Sequence, residues 1–361
     1  MTNDTTDIQS EAGREDQGGL LAELIRLVLP ILFGLGLAVA IHYLILLPRL
    51  GFPADVRRPI AIGTSLHSKI MKSSDPVAVI ISNSAGVEGI DASIVQQAAP
   101  KGWKVLNYSA NGTNQVEARM LADQLADAGA ELVIWLMRPD MLGTPRPMHS
   151  DVLFAYAEGG LASKSNWVGP PWMDKATTSS LGASQFEISM HFRRRWLDAI
   201  NYKMRRRMRT GIRTPDPADF DTPFNLEIVL DGAPLDRHLG EISTMMSEEL
   251  PGFKADGPGS GRAFIREMID DFANRETALA IVVAPTHPAL QDQFQPLEDE
   301  VVLLLEPMVG PKGLLVGTAA GVLKSSEYAD AIHPNATGRV RLSTWIGKWM
   351  PPPPPSTDHR E

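Results

Sequence analysis

The longest apolar run in the chain, Leu27 to Leu47, holds 21 residues of which only His42 is strongly polar. A helix needs about 20 such residues to cross the hydrocarbon core of a bilayer. A buried helix of a soluble domain is seldom so uniformly apolar. A cleaved signal peptide has a shorter apolar core, and this run follows a mostly polar N-terminus with no small-x-small cleavage site. Pro30 falls in the first turn, where its missing N–H costs little, and Tyr43 suits the headgroup level. Gly34 and Gly36 are ordinary in membrane helices and define no dimer motif. The expectation is one uncleaved transmembrane helix within 21–48, preceded by a disordered cytoplasmic tail over 1–20. Residues 1–20 carry Asp4, Asp7, Glu11, Glu15 and Asp16 against Arg14 alone, whereas Arg49, Arg57 and Arg58 follow the run. Charge near the ends by itself therefore leans towards a cytoplasmic C-terminal side.

The remainder reads as a globular chain. Hydrophobic residues make up 43% and charged residues 21%, which excludes a mostly disordered protein and a polytopic membrane protein. The length of 361 residues calls for one large domain or two smaller ones. A net charge of -9 gives no general reason to expect nucleic-acid binding. There is no cysteine, so disulfides, thiolate nucleophiles and cysteine-ligated zinc are all excluded.

Residues 49–75 carry Pro53 and Pro59 among scattered charges and read as a linker. An alternation of strands and helices then begins. Ala78 to Ile81 is a β-branched run ended by small polar residues, hence a buried strand. Gly89 to Ala99 reads as a helix, Lys104 to Leu106 as a strand, and Gln115 to Ala128 as a helix stopped by Gly129. Leu132 to Leu136 is a third strand. Further on, strands are expected at Ala278 to Val283 and Gly313 to Val316, and helices at Leu297 to Leu305 and Ala336 to Met350. Such alternation predicts βαβ units: a three-layer α/β/α domain over 76–350 with a central parallel sheet. A mostly helical or irregular insertion over 145–262 interrupts it, and a Pro-rich tail over 351–361 should be extended and exposed.

Within the insertion, Arg193 to Arg213 alternates arginines with Trp196, Leu197, Ile200, Tyr202 and Met204. A helix here would have one basic and one apolar-aromatic face. It would be either a solvated surface helix or one lying against anionic lipid or a membrane partner.

Two segments could carry chemistry. Ser82-Asn83-Ser84-Ala85-Gly86 stands where the first strand turns into a helix, at the carboxyl edge where α/β folds place ligands. Ser84 there either caps the helix or reacts. Asp330-Ala331-Ile332-His333-Pro334-Asn335 precedes the last helix. A carboxylate three residues before a histidine can orient the ring as a base for a serine, although a lone histidine can equally make a structural hydrogen bond. Of the remaining histidines only His287, in Pro285-Thr286-His287-Pro288 after a strand, is comparably placed.

A serine after the first strand followed by Asp-x-x-His before the last helix resembles the SGNH (GDSL-type) hydrolase superfamily. Asn107-Tyr108-Ser109-Ala110-Asn111-Gly112-Thr113-Asn114 is similar to that superfamily's second block. The resemblance covers about 76–143 and 279–349. It implies Ser84 as nucleophile, His333 as base, Asp330 as the residue orienting it, and the Gly112 N–H as an oxyanion donor, with no metal and no cofactor. Two departures stand out. The first block reads Ser82-Asn83-Ser84 rather than Gly-Asp-Ser, and Pro139 of Leu136-Met137-Arg138-Pro139-Asp140 occupies the position of a donor asparagine. Proline has no N–H to give, and losing one oxyanion donor slows such a reaction by about 10²–10³. Arg138 or Asn114 would have to substitute.

An anchor, a linker and an SGNH-like domain together resemble proteins that work beside membrane-bound O-acyltransferases in bacterial envelopes, in teichoic-acid D-alanylation and in alginate or peptidoglycan O-acetylation. That resemblance implies a catalytic domain outside the cytoplasmic membrane, against the charge count. The implied partners are the bilayer, a membrane-bound O-acyltransferase and a glycan substrate, with no nucleic acid. The implied activity is acyl transfer or ester hydrolysis on acyl, chiefly acetyl, esters of envelope or exported glycans. The alternative is an inactive relative that serves as a docking module.

Overall fold

The computed structural model describes residues 25–37, 40, 62, 69–70, 73–143, 229–253, 257, 259–309 and 314–354. The chain divides into two units, Met1–Phe52 and Pro53–Glu361. In the first, residues 25–37 form a helix about 20 Å long. Leu27, Leu29, Ile31, Leu32, Phe33, Leu35 and Leu37 are each at least half exposed on it, so apolar surface is presented on every side. No helix among the described residues is long and apolar enough to cross a membrane. The rest of the expected span, apart from residue 40, lies outside the described residues, as do residues 1–20 and the arginine-rich segment Arg193 to Arg213.

The second unit is built on five parallel strands: β1 (Val77–Ile81), β2 (Lys104–Asn107), β3 (Leu132–Met137), β4 (Ala278–Val283) and β5 (Leu315–Thr318). Their order across the sheet is β2-β1-β3-β4-β5. Parallel strands covered on both faces must be apolar throughout. β1 and β3 obey this at every position, whereas β5, at the edge, is mostly half-buried.

Side chains alternate between the two faces because the pleat has a period of two. Val79, Ile81, Val133, Trp135, Ile281 and Val283 enter one apolar layer, with α3 (Gln115–Asp127), α5 (Gly261–Phe272) and α6 (Gln291–Leu305) packed against it. Ala78, Ile80, Ile134, Leu136, Ala280 and Val282 enter the other, beneath α2 (Ala92–Ala98) and α7 (Ala336–Trp349). The expected α/β architecture with a parallel sheet is therefore present.

Several boundaries differ from the sequence expectation. The helix expected over Gly89 to Ala99 is α2, which starts at Ala92, and a separate short helix, α1 (Ser84–Gly89), precedes it with its own cap. Asn83 accepts the Ala85 N–H, while Ile90 is extended and Asp91 accepts from Ser93 and Ile94. α6 begins six residues earlier than expected and carries Pro296 inside it. β5 lies at Leu315–Thr318 rather than Gly313 to Val316, and Leu314 makes only an isolated bridge with Val309. The segment read as an insertion contains a 22-residue helix, α4 (Gly232–Phe253). Ile62 and Ile70, in the segment read as a linker, are fully buried. The first prolines of the tail are extended but held in place: Trp103 Nε1 donates to the Pro351 carbonyl at 2.8 Å, and Gly102 lies against the Pro353 ring.

α3 and the end of α5 are joined by charge. Arg119, 2% exposed, pairs with Asp271 and Glu267 and lies over the Phe264 ring. Arg275 reaches Asp123 at 3.2 Å and Asp127 at 2.8 Å. Burial pushes the Asp123 carboxyl up to about 6 despite the nearby guanidinium groups of Arg275 and Arg119. A carboxyl raised in the folded state holds its proton more tightly there, so its contribution to stability grows as pH falls through 6 and levels off below the unfolded value near 3.8. Asp123→Asn mimics the protonated form at every pH. Its thermal midpoint, relative to wild type, should be higher at pH 7.5 than at pH 5 by thermal unfolding; a difference independent of pH would contradict this.

Candidate active site

The order β2-β1-β3 reverses the direction in which successive strands are added, and such a reversal opens a crevice at the carboxyl ends of β1 and β3. Ser84 stands at the first of these ends. Asn83 caps α1, Ser82 Oγ donates to the Leu136 carbonyl at 2.8 Å, and Ser84 becomes the first helical residue. The neighbouring turn after β2 is tied to the same place. Asn107 Nδ2 donates to the carbonyls of Gly86 and Ile90 at 3.0 Å, and the Ala110 N–H donates to the Ser82 carbonyl. Gly86 permits this approach, because a Cβ there would lie 2.4 Å from Ser109 Oγ and from Ser82 Cβ.

His333 and Asp330 arrive from the far end of the chain on a self-supporting loop. Tyr328 and Pro334 form an antiparallel bridge, and the Ala329 N–H donates to the His333 carbonyl at 2.7 Å. Asn335 then caps α7, accepting from Thr337 and Gly338. Asp330 Oδ1 accepts the N–H groups of Ile332 and His333, both at 2.8 Å, while Oδ2 meets His333 Nδ1 at 2.8 Å. His333 Nε2 lies 2.8 Å from Ser84 Oγ.

Burial alone would raise the Asp330 carboxyl, but the bonds from the His333 ring and the two N–H groups outweigh it and hold the group below its ordinary value. Asp330 is therefore ionised and accepts a hydrogen bond from Nδ1–H, which leaves Nε2 to accept one from the Ser84 hydroxyl. The carboxylate, imidazole and hydroxyl are in the order that general-base activation of a serine requires.

The residues read as oxyanion donors are placed unequally. Gly112 has φ +76° and open space where a Cβ would stand. Neither its N–H nor that of Ser84 has a partner among the described residues. Asn114 caps α3, its Oδ1 accepting the Glu117 N–H at 3.0 Å. Arg138 Nε lies 3.0 Å from Asp140 Oδ1, and Pro139 opens a buried 3₁₀ turn.

Beside the triad, a hollow of about 310 Å³ out to its mouth is lined by Ala85, Arg138, Pro139, Thr286, Phe294 and Ile332, among others. Ala85 adjoins the serine and Ile332 the histidine. Of this wall the sequence singles out Arg138 and Pro139, whereas Leu290 and Phe294 carry no local signal. His287 is buried; its Nδ1 accepts the Ala289 N–H, and its ring meets Tyr328 edge-on at 4.9 Å. Burial lowers its pKa against the opposing charge of Asp330, so it is held neutral. His238 of α4, which the sequence did not single out, accepts the Ala331 N–H at 3.4 Å and steadies the triad loop. Among the described residues no group of three or more histidine, aspartate or glutamate side chains is placed to hold a metal ion.

No protein-family model matches the chain, and no curated protein matches it. The site is thus defined by its geometry. Gly86→Ala should destabilise the fold by about 1–3 kcal/mol, as overpacking does, because Ser109 and the turn leading to Gly112 must give way. Chemical denaturation measures this, and a loss below about 0.5 kcal/mol would mean that the turn yields freely.

Proposed function

We propose that this protein is a membrane-anchored SGNH-type serine acyltransferase or esterase acting on acyl esters, acetyl esters first, of envelope or exported glycans. The observation that carries the proposal is the unbroken chain from Asp330 through His333 to Ser84, with 2.8 Å at each link, at a strand-order reversal. Ser84 Oγ attacks the ester carbonyl while His333 Nε2 takes its proton. The N–H groups of Ser84 and Gly112 receive the developing oxyanion. The C–O bond then breaks and His333 returns the proton to the departing alcohol. Water or a sugar hydroxyl, deprotonated by the same ring, releases the acyl group from Ser84. Acceptor identity alone separates transferase from esterase.

The anchor reading rests on the uniformly apolar run Leu27 to Leu47 and on the exposed apolar surface of residues 25–37. The resemblance to envelope O-acyltransfer proteins supports a catalytic domain on the extracytoplasmic side of the cytoplasmic membrane, and the partner would be a membrane-bound O-acyltransferase. Pro139, which has no N–H to give, favours a second reading, an inactive docking module for such a partner, because it subtracts a donor from the oxyanion hole.

A serine-directed fluorophosphonate distinguishes them. The full-length protein in detergent should be labelled, Ser84→Ala should not be labelled, and His333→Ala should be labelled about 10²–10⁴ times more slowly. Equal labelling of wild type and Ser84→Ala, or none of either, supports the docking module. Protease added outside intact cells should digest the domain; complete protection would reverse the topology.

A further inference from the structure

The hollow beside Ser84 carries one charged group whose hydrogen-bonding capacity is not used up. A guanidinium has five N–H donors, and among the described residues the only partner of Arg138 is Asp140, at Nε. That contact is an ion pair without a hydrogen bond, so the N–H groups of Arg138 have no protein acceptor among those residues. The Arg138 side chain is 14% exposed, so the charge is largely desolvated and shaped by its surroundings. The rest of the wall is mainly apolar: Ala85, Pro139, Leu290, Phe294 and Ile332. Thr286 supplies a hydroxyl, but its proton goes to Glu298 Oε1 at 2.9 Å, and Glu298 itself does not line the hollow.

Position and size decide what such a hollow takes. Gly112 follows β2 and Arg138 follows β3, on opposite flanks of β1 and Ser84. A carbonyl oxygen turned towards the Gly112 N–H therefore leaves the other flank for the chain that bears the carbonyl. The hollow is small and opens to solvent, so it admits the end of a short chain beside the guanidinium and not a sugar residue held within a polymer. We propose that Arg138 binds the free carboxylate of a short dicarboxylic acyl group, so that the preferred substrates are hemiesters whose acyl chain ends in an anion. This rests on the serine-ester reading above and names its acyl specificity. The bond that breaks is still the ester C–O bond. The distal carboxylate is unchanged throughout and leaves either as the free diacid or as the hemiester of a new alcohol.

The test compares 4-nitrophenyl hydrogen glutarate with 4-nitrophenyl valerate on the full-length protein in detergent, subtracting the enzyme-free rate. The two acyl chains match in length and differ in ending in carboxylate or methyl. Wild type should favour the glutarate by roughly 10–100-fold in kcat/KM, the range expected of a charge-assisted pair. Arg138→Met should erase that preference mainly by raising KM for the glutarate, and Arg138→Lys should keep part of it. A wild type that prefers valerate, or an Arg138→Met variant that lowers kcat equally on both esters, overturns the proposal in favour of an oxyanion role for Arg138.

A binding arm separates this from the esterase reading. Ser84→Ala should bind the non-hydrolysable glutaric acid monoamide in calorimetry, and Ser84→Ala with Arg138→Met should bind it at least tenfold more weakly. Binding without turnover of either ester by wild type supports the anion site and sinks the esterase. Turnover without charge preference, together with no binding, does the reverse.

Discussion

The hydrogen bond between Ser84 Oγ and His333 Nε2 joins residues 249 positions apart, and the rest of the site depends on it. Its net contribution to stability is about 1 kcal/mol, far too little to hold two ends of a chain together. The sheet does that work. β1 delivers Ser84 to the carboxyl edge, and the turn of Tyr328 to Pro334 delivers His333 to the same edge. The histidine half is already organised locally, because Asp330 satisfies two backbone N–H groups and the ring at once. The serine half is organised by Asn83, Ser82 and Gly86. Two short preformed pieces are thus docked by a large apolar framework, which holds a reactive geometry without relying on the reactive groups themselves.

What was legible in the sequence follows from that division. Ser84, Asp330 and His333 could be picked out because each lies in a short segment whose local chemistry is complete. The strands could be read because a covered parallel strand must be apolar throughout, as β3 is from Leu132 to Met137. The failures concern long-range contacts. The helix read from Gly89 starts only at Ala92 because Asp91 both caps α2 and places its own N–H on Ser343 Oγ, 252 positions away. The helix read from Leu297 begins at Gln291, with Pro296 inside it. α4 reaches the triad loop through His238, and no local pattern could have announced that contact.

The oxyanion side of the site shows a different compromise. Pro139 opens a buried turn and brings no donor, and a guanidinium stands immediately before it. The backbone donors at Ser84 and Gly112 remain, so the site keeps its neutral donors and gains a cation on the other flank. A fixed positive charge beside a serine changes selectivity among esters as well as rate, because it acts on ground states that carry their own charge.

The Pro351 carbonyl is held by Trp103, which immediately precedes β2, and α7 runs from the triad loop back to that point. The chain therefore leaves the domain at the amino edge of the sheet, a full strand length from Ser84. A fusion partner or solid support joined after Pro354 would leave the edge that bears Ser84 facing outward, a polarity suited to immobilisation through that end.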